Sequence, residues 1–245
     1  MALPIKIDPD NLKQSIVHIK FDAKIPIELI SGKFFEVLQA IGFTYIPAPR
    51  PAVPMPIKQQ FAKIELSNGW PGAFHNSKIK LQILEPGHLI FTMFSSYIGW
   101  EEYFKNIQQV LQEFAKLDIV TNYKNIGLRY ISEYISEPIE PIIKSSFSWN
   151  IKGKELNNDA SHYKTEIKEK NRRIVINIAS LVERHNQAIQ SVERVSVIDI
   201  DVICPLQTDE VGMLINEIDI SHTLEKEYFF GLLTDEYVSS INPIY

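Results

Sequence analysis

The stretch Lys78-Ile-Lys-Leu-Gln-Ile-Leu-Glu-Pro-Gly-His-Leu-Ile-Phe-Thr-Met-Phe-Ser95, followed by Trp100 to Leu117, decides the fold class. Its two arms, Lys78–Leu84 and Leu89–Ser95, are short apolar or alternating runs of strand length. Between them stands Glu85-Pro86-Gly87-His88, with a proline to fix φ and a glycine free to take a positive one. The pair is therefore an antiparallel hairpin. Trp100, Phe104, Ile107, Leu111, Phe114 and Leu117 then recur at steps of three and four, the spacing of one helix face, with Ser95 or Ser96 as candidate caps. An aromatic stripe of this kind is read as core.

The same grammar extends in both directions. Upstream, Ile16, His18 and Lys20 alternate with Val17, Ile19 and Phe21, a half-buried strand over 15–23. After Pro26, the spacing of Ile27, Ile30, Phe34, Leu38 and Ile41 predicts a helix that Gly42 ends. Residues 47–57 hold Pro47, Pro49, Pro51, Pro54 and Pro56, so they read as an extended connector. A strand is expected at 59–67. Downstream, strands are expected at 125–135, near 145–152, and at 173–182 and 194–204, the last two joined as a long hairpin by a turn near 184–190. The polar stretch 152–161 reads as a loop. A final helix is expected from Thr208 to Leu232, with Val211, Leu214, Ile215, Ile218, His222 and Phe229 on or near one face.

Strand, strand and long helix thus occur twice, around 78–117 and 173–232. Strict strand–helix alternation is missing, which argues against a doubly wound parallel sheet. The expected fold is α+β: a largely antiparallel sheet with long helices packed on it. It forms one compact domain over 1–245, with 1–143 and 144–245 as the division into two similar halves.

Composition narrows the function classes. With 245 residues, 45 % hydrophobic and 22 % charged, the chain has the means to build a core without disulfides or metal. Cys204 is the only cysteine, which rules out an intrachain disulfide and a cysteine-based zinc cluster within one chain. Following Val202 and Ile203, it reads as a small buried hydrophobe. The net charge of −5 disfavours binding to nucleic acid through phosphates. Lys164, Lys168, Lys170, Arg172 and Arg173 are interrupted by Glu166 and Glu169, as on a solvated strand face. No secretory signal and no apolar run near the roughly 18 residues of a membrane span is visible. A cytoplasmic protein without membrane contact is expected.

Signature motifs are missing: no glycine-rich phosphate loop, no Gly-x-Ser-x-Gly elbow and no His-Glu-x-x-His helix occurs. No cofactor is expected. Three constellations remain as candidates. Asp199-Ile-Asp201 puts two carboxylates on one side of a strand, a start for Mg²⁺ binding if a third acid joined them, or acceptors for a neighbouring base. Arg129, in Gly127-Leu128-Arg129-Tyr130, is a charge in an apolar strand that calls for Asp199 or Asp201 as partner, or else for an anion. His222 lies on the inward face of the last helix, as a polar core residue or a ligand.

Leu3-Pro4, Asp10-Asn11-Leu12, Ser15-Ile16-Val17, Trp100 with Tyr103 and Phe104, Gly127-Leu128-Arg129-Tyr130-Ile131, Asp199-Ile200-Asp201, and His222 with Phe229 follow one another along most of the chain. In that order they are similar to a family of sporadically distributed prokaryotic proteins of about 250 residues. Ser132 stands where that pattern has an asparagine. The family brings no assigned chemistry. Its scattered distribution implies horizontal transfer, and through it a phage-defence or mobile-element context. The function expected is that of a non-enzymatic binding or regulatory protein acting through protein partners or self-association. The alternative is a metal-dependent enzyme on nucleic acid or nucleotides, using Asp199 and Asp201.

Overall fold

The computed structural model describes residues 3–47, 72–84, 87–93, 97–144, 150–151, 154–155, 160–186 and 191–245. The proline-rich connector beyond Pro47, the strand expected at 59–67 and the candidate caps Ser95 and Ser96 lie outside the described residues. So does most of the strand expected near 145–152.

The decisive hairpin forms as β4 (Ile79–Leu84) and β5 (His88–Met93), and Gly87 adopts φ +109° in its turn. A side chain there would meet the carbonyl of Phe21 at 2.3 Å, so only glycine fits. The hairpin runs into α2 (Trp100–Lys116), which is capped by Gly99 rather than by a serine side chain. Tyr103, Ile107, Val110, Leu111 and Phe114 are its buried stripe. That stripe is rotated from the expected one, and Trp100 and Phe104 stand at its margin, partly buried.

The other elements follow the alternation of their residues. They are β1 (Leu12–Ala23), α1 (Ile27–Ala40), the short β2 (Thr44–Ile46) and β3 (Ala73–His75), β6 (Val120–Ile135), and the small pair β7 (Asn150–Ile151) and β8 (Lys154–Glu155). Next come β9 (Ser161–Glu169), β10 (Arg172–Asn186), β11 (Ser191–Thr208), α3 (Val211–Leu232) and α4 (Asp235–Ser240). The basic segment around Lys164 is thus the strand β9, at one edge of the sheet.

Nine strands form one sheet in the order β2-β3-β4-β5-β1-β6-β11-β10-β9, every neighbouring pair antiparallel. About the central β1–β6 pair the arrangement repeats. β5 and β4 follow β1 outward as β11 and β10 follow β6, and each hairpin leads into a helix, α2 or α3. The mixed α+β class is as expected. The emphasis on long helices is not: the described helices number four, of 14, 17, 22 and 6 residues, and the sheet dominates. The reason is that apolar alternation continues for 16 and 18 residues in β6 and β11, leaving less chain for helix. No described helix is long and apolar enough to cross a membrane.

The four helices pack on one sheet face. Val17, Ile19, Phe21, Phe91 and Leu128 meet Ile30, Phe34, Leu38, Ile107 and Phe114 in a first core cluster. Phe114 has two aromatic partners, Phe21 at 5.4 Å and Phe34 at 4.9 Å between ring centroids. Burying such a side chain contributes about 1.5–3 kcal/mol. A second cluster gathers Tyr134, Ile176, Ile198 and Ile200 with Ile142, Leu233 and Ile241. On β6, Tyr130 belongs to the first cluster and Tyr134 to the second, with buried Ser132 between them. The layer under the helices is thus divided at Ser132.

Candidate functional site

A cavity of about 1260 Å³ opens at that division. Its floor is Tyr130, Ser132 and Tyr134 of β6, and its walls are residues 97–102 at the start of α2 and Asp219 to Phe230 of α3. The N-terminal segment from Leu3 to Leu12, with Tyr237 and Ile241 from the α4 region, closes the remaining side. That segment is held by backbone bonds to the chain end: Ile244 N donates to the Lys6 carbonyl at 2.8 Å and Asp8 N to that of Ile241 at 2.8 Å. Asn11 Nδ2 donates to the Tyr237 hydroxyl at 3.0 Å.

α3 explains the polar side. Its buried residues Leu214, Ile218, Ser221, His222 and Glu225 follow helical spacing along one stripe, which starts apolar and turns polar at Ser221. His222 is 8 % exposed and lies flat against Trp100, with ring centroids 3.9 Å apart. Tyr130 approaches it at 5.6 Å. Trp100 Nε1 donates to Asp219 Oδ1 at 2.8 Å, which fixes the indole on α3. His222 Nδ1 is buried with no hydrogen-bond partner among the described residues. Burial, helped by the charge of Lys226, lowers its pKa to about 3, so the ring is neutral.

Glu225, one turn further, is 2 % exposed and lines the cavity. No hydrogen bond or ion pair reaches its carboxyl group among the described residues. Burial pushes its pKa up to about 8, against a small opposing effect of Lys226. Nearby, the hydroxyls of Tyr97 and Tyr130 are 3.4 Å apart, and burial raises the pKa of Tyr97 to about 12. Once ionised, Glu225 adds to the effect of burial in raising the pKa of both phenols.

The other three candidates lie on the opposite face of the sheet, away from the described helices. Arg129 donates from Nε and Nη2 to Oδ1 and Oδ2 of Asp199 at 2.7 and 2.8 Å, and Asn177 Nδ2 adds a bond to Asp199 Oδ2 at 3.1 Å. The hydrogen bond to Asp199 raises the guanidinium pKa. Asp201 stands directly opposite Arg129 in the β6–β11 register, yet the bidentate pair runs diagonally to Asp199. Burial lifts the pKa of Asp201 to about 6, although Arg129 pulls the other way. The strand bearing Arg129 is not apolar on this face: the Arg129 side chain is 44 % exposed, and only that of Asp199, at 9 %, is nearly buried. Among the described residues no group of three or more histidine, cysteine or acidic side chains is placed to hold a metal ion.

The structure therefore separates His222 from Arg129, Asp199 and Asp201 by the thickness of the sheet. It also joins two histidines that chain spacing leaves unrelated. On the same face as Arg129, His18 Nε2 lies 2.5 Å from His88 Nδ1, the rings stacked at 4.7 Å, and burial lowers the pKa of His18 to about 4. Glu225 and the tyrosines of the cavity were missed by sequence motifs. The available signal was a carboxylate eleven residues after Leu214 on the stripe that carries Ile218 and His222.

Compared with known proteins, the chain matches no family, no curated protein and no solved structure.

Proposed function

We propose that the protein is a non-enzymatic binding protein whose cavity beneath β6 receives part of a protein partner. One observation carries this reading: Glu225 is 2 % exposed, lines a large cavity and has no polar partner among the described residues. A buried carboxyl group left unsatisfied is costly, and native structures provide such groups with partners. A bound segment would supply what the chain itself does not. Concave sites with aromatic walls and a few convergent polar groups are the common form of binding sites. For the alternative, a metal-dependent enzyme at Asp199 and Asp201, a cation would have to displace the guanidinium that occupies both oxygens of Asp199.

The test is site-specific photo-crosslinking in cells, with benzoylphenylalanine at Gln109 on the cavity lining and at Glu36 on α1 as control. A defined adduct is expected from Gln109 alone, and Ser132→Trp, which fills the floor, should remove it. Equal adducts from both positions, or an adduct indifferent to filling, would show that the cavity is not the binding surface.

A further inference from the structure

We propose that the group received by the cavity is an organic cation, an alkylammonium or guanidinium, with Glu225 as its counter-ion. This rests on the cavity being a binding site and adds the chemistry of what it binds. Four observations converge on it. Glu225, 2 % exposed as a residue, lines a space large enough for a ligand chain and has no hydrogen bond or ion pair among the described residues. A second acid, Asp10, lines the cavity from the N-terminal segment, where its Oδ1 accepts from Leu12 N at 2.9 Å. Along the whole lining, carboxylates outnumber lysines two to one. Finally, Tyr97, Tyr130 and Tyr134 line the cavity with phenol rings and hydroxyls, groups that favour a cation both through their faces and through their oxygens.

Other ligand chemistries fit less well. An anion would meet a lining in which acidic side chains outnumber basic ones. A neutral apolar group would leave the Glu225 carboxyl without a hydrogen-bond partner, which is costly. Charged and titratable groups around Glu225 come from each packed element: Lys226 and His222 on α3, Tyr130 on β6, Tyr97 before α2, and Asp10 and Lys6 on the N-terminal segment. His222 is neutral, and among the described residues Lys226 is the cation whose charge acts on Glu225. Lys226 follows Glu225 directly on the helix and therefore projects about 100° away from it.

Burial keeps Glu225 protonated near neutral pH, so entry of a cation must expel that proton. The proton leaves the carboxyl oxygen for solvent, and the ammonium or guanidinium replaces it as hydrogen-bond donor. Binding below pH 8 is then linked to release of one proton, and affinity rises with pH by about tenfold per unit.

The experiment titrates the full chain by calorimetry with hexylammonium, hexanol and hexanoate, at pH 6 and pH 7 and in two buffers of different ionisation enthalpy. Hexylammonium should bind best, about tenfold more tightly at pH 7 than at pH 6, with close to one proton released. Glu225→Gln, nearly the same shape, should weaken it at least about tenfold and abolish the proton release. Asp10→Asn should weaken it less. Spermidine and an acetylated, amidated pentapeptide with one central lysine separate the two sources of the group. Tighter binding of spermidine assigns a free polyamine, and tighter binding of the peptide assigns a side chain of a partner protein. Hexanol or hexanoate binding as well as hexylammonium, or a folded Glu225→Gln protein binding hexylammonium like the wild type, would overturn the cation while leaving the cavity a binding site. No binding of any probe to the folded wild type would overturn the cation and the binding site together.

Discussion

Arg129 reaches past the residue opposite it to grip the next one: its guanidinium holds both oxygens of Asp199, two residues along β11 from its register partner Asp201. A long side chain spans a diagonal pair in a sheet easily. The diagonal also serves Asp199, which is nearly buried and gains three donors, two from Arg129 and one from Asn177. Asp201 is left with the electrostatic effect of Arg129 but no hydrogen bond among the described residues.

A double-mutant cycle reads this directly. Arg129→Ala strands the buried Asp199 carboxylate and should lower stability by about 1–2 kcal/mol, discounted from a fully buried pair because the guanidinium is half exposed. Asp199→Ala should cost less, since Arg129 can turn to solvent. The coupling of Arg129 to Asp199 should be about 1 kcal/mol, and that to Asp201 less than half as much. Urea unfolding of the four proteins in each cycle checks it. Equal coupling to both acids would show that the bidentate geometry contributes nothing of its own.

Two glycines should respond in opposite ways. Gly87 has φ +109° and its Cβ would lie 2.3 Å from a backbone oxygen, so Gly87→Ala should cost at least about 2 kcal/mol or disrupt the hairpin. At Gly127, a Cβ would make ordinary contacts of 3.6 Å to Asp201 and 3.8 Å to His18. Gly127→Ala should leave the thermal midpoint unchanged or raise it slightly. A midpoint that falls as far for Gly127→Ala as for Gly87→Ala would contradict this.

Tyr103 ties α2 to the sheet. Its buried hydroxyl donates to the Phe91 carbonyl at 3.1 Å, with the Ser15 carbonyl at 3.4 Å. Tyr103→Phe keeps the ring and removes the donor, and should cost about 1 kcal/mol in urea unfolding without changing the circular-dichroism spectrum. A cost near zero would mean the hydroxyl only fills space.

What the residues disclosed in advance was the local grammar. The turn at Gly87, the helix after Pro26 and the alternation of Val17, Ile19 and Phe21 are set by neighbours in sequence, and each stands where its pattern put it. Strand lengths were less legible, because alternation in β11 runs through Pro205 to Thr208, where proline suggests a stop. The site was least legible. The apolar stripe on α3 continues in space through Ser221, His222 and Glu225, but a glutamate in a helix looks like a solvated residue until the stripe is followed past Ile218. His18 and His88 show the same limit: seventy residues apart in the chain, they meet only through strand order.

His222 and Glu225 share a face of α3, and burial shifts them in opposite senses, which gives the protein a distinctive pH profile. Native His222 stays unprotonated down to about pH 3, whereas an unfolded histidine takes a proton below about 6.5, so native stability is lost as pH falls through that window. Native Glu225 keeps its proton up to about pH 8, whereas an unfolded glutamate releases it above about 4.5, so native stability is lost as pH rises through that window. Between pH 4.5 and 6.5 the two slopes, each about 1.4 kcal/mol per pH unit at full effect, cancel. Removing one partner should uncover the other. The stability gained by Glu225→Gln over the wild type should grow with pH from 4.5 to 8, reaching a few kcal/mol. That of His222→Phe, which keeps a ring against Trp100, should grow instead as pH falls from 6.5. Urea unfolding of the three proteins at half-unit steps from pH 4 to 8 gives the differences, in which every other titrating group drops out. Differences that stay flat with pH would mean that neither side chain is buried with its charge suppressed, and the polar stripe of α3 would then face water.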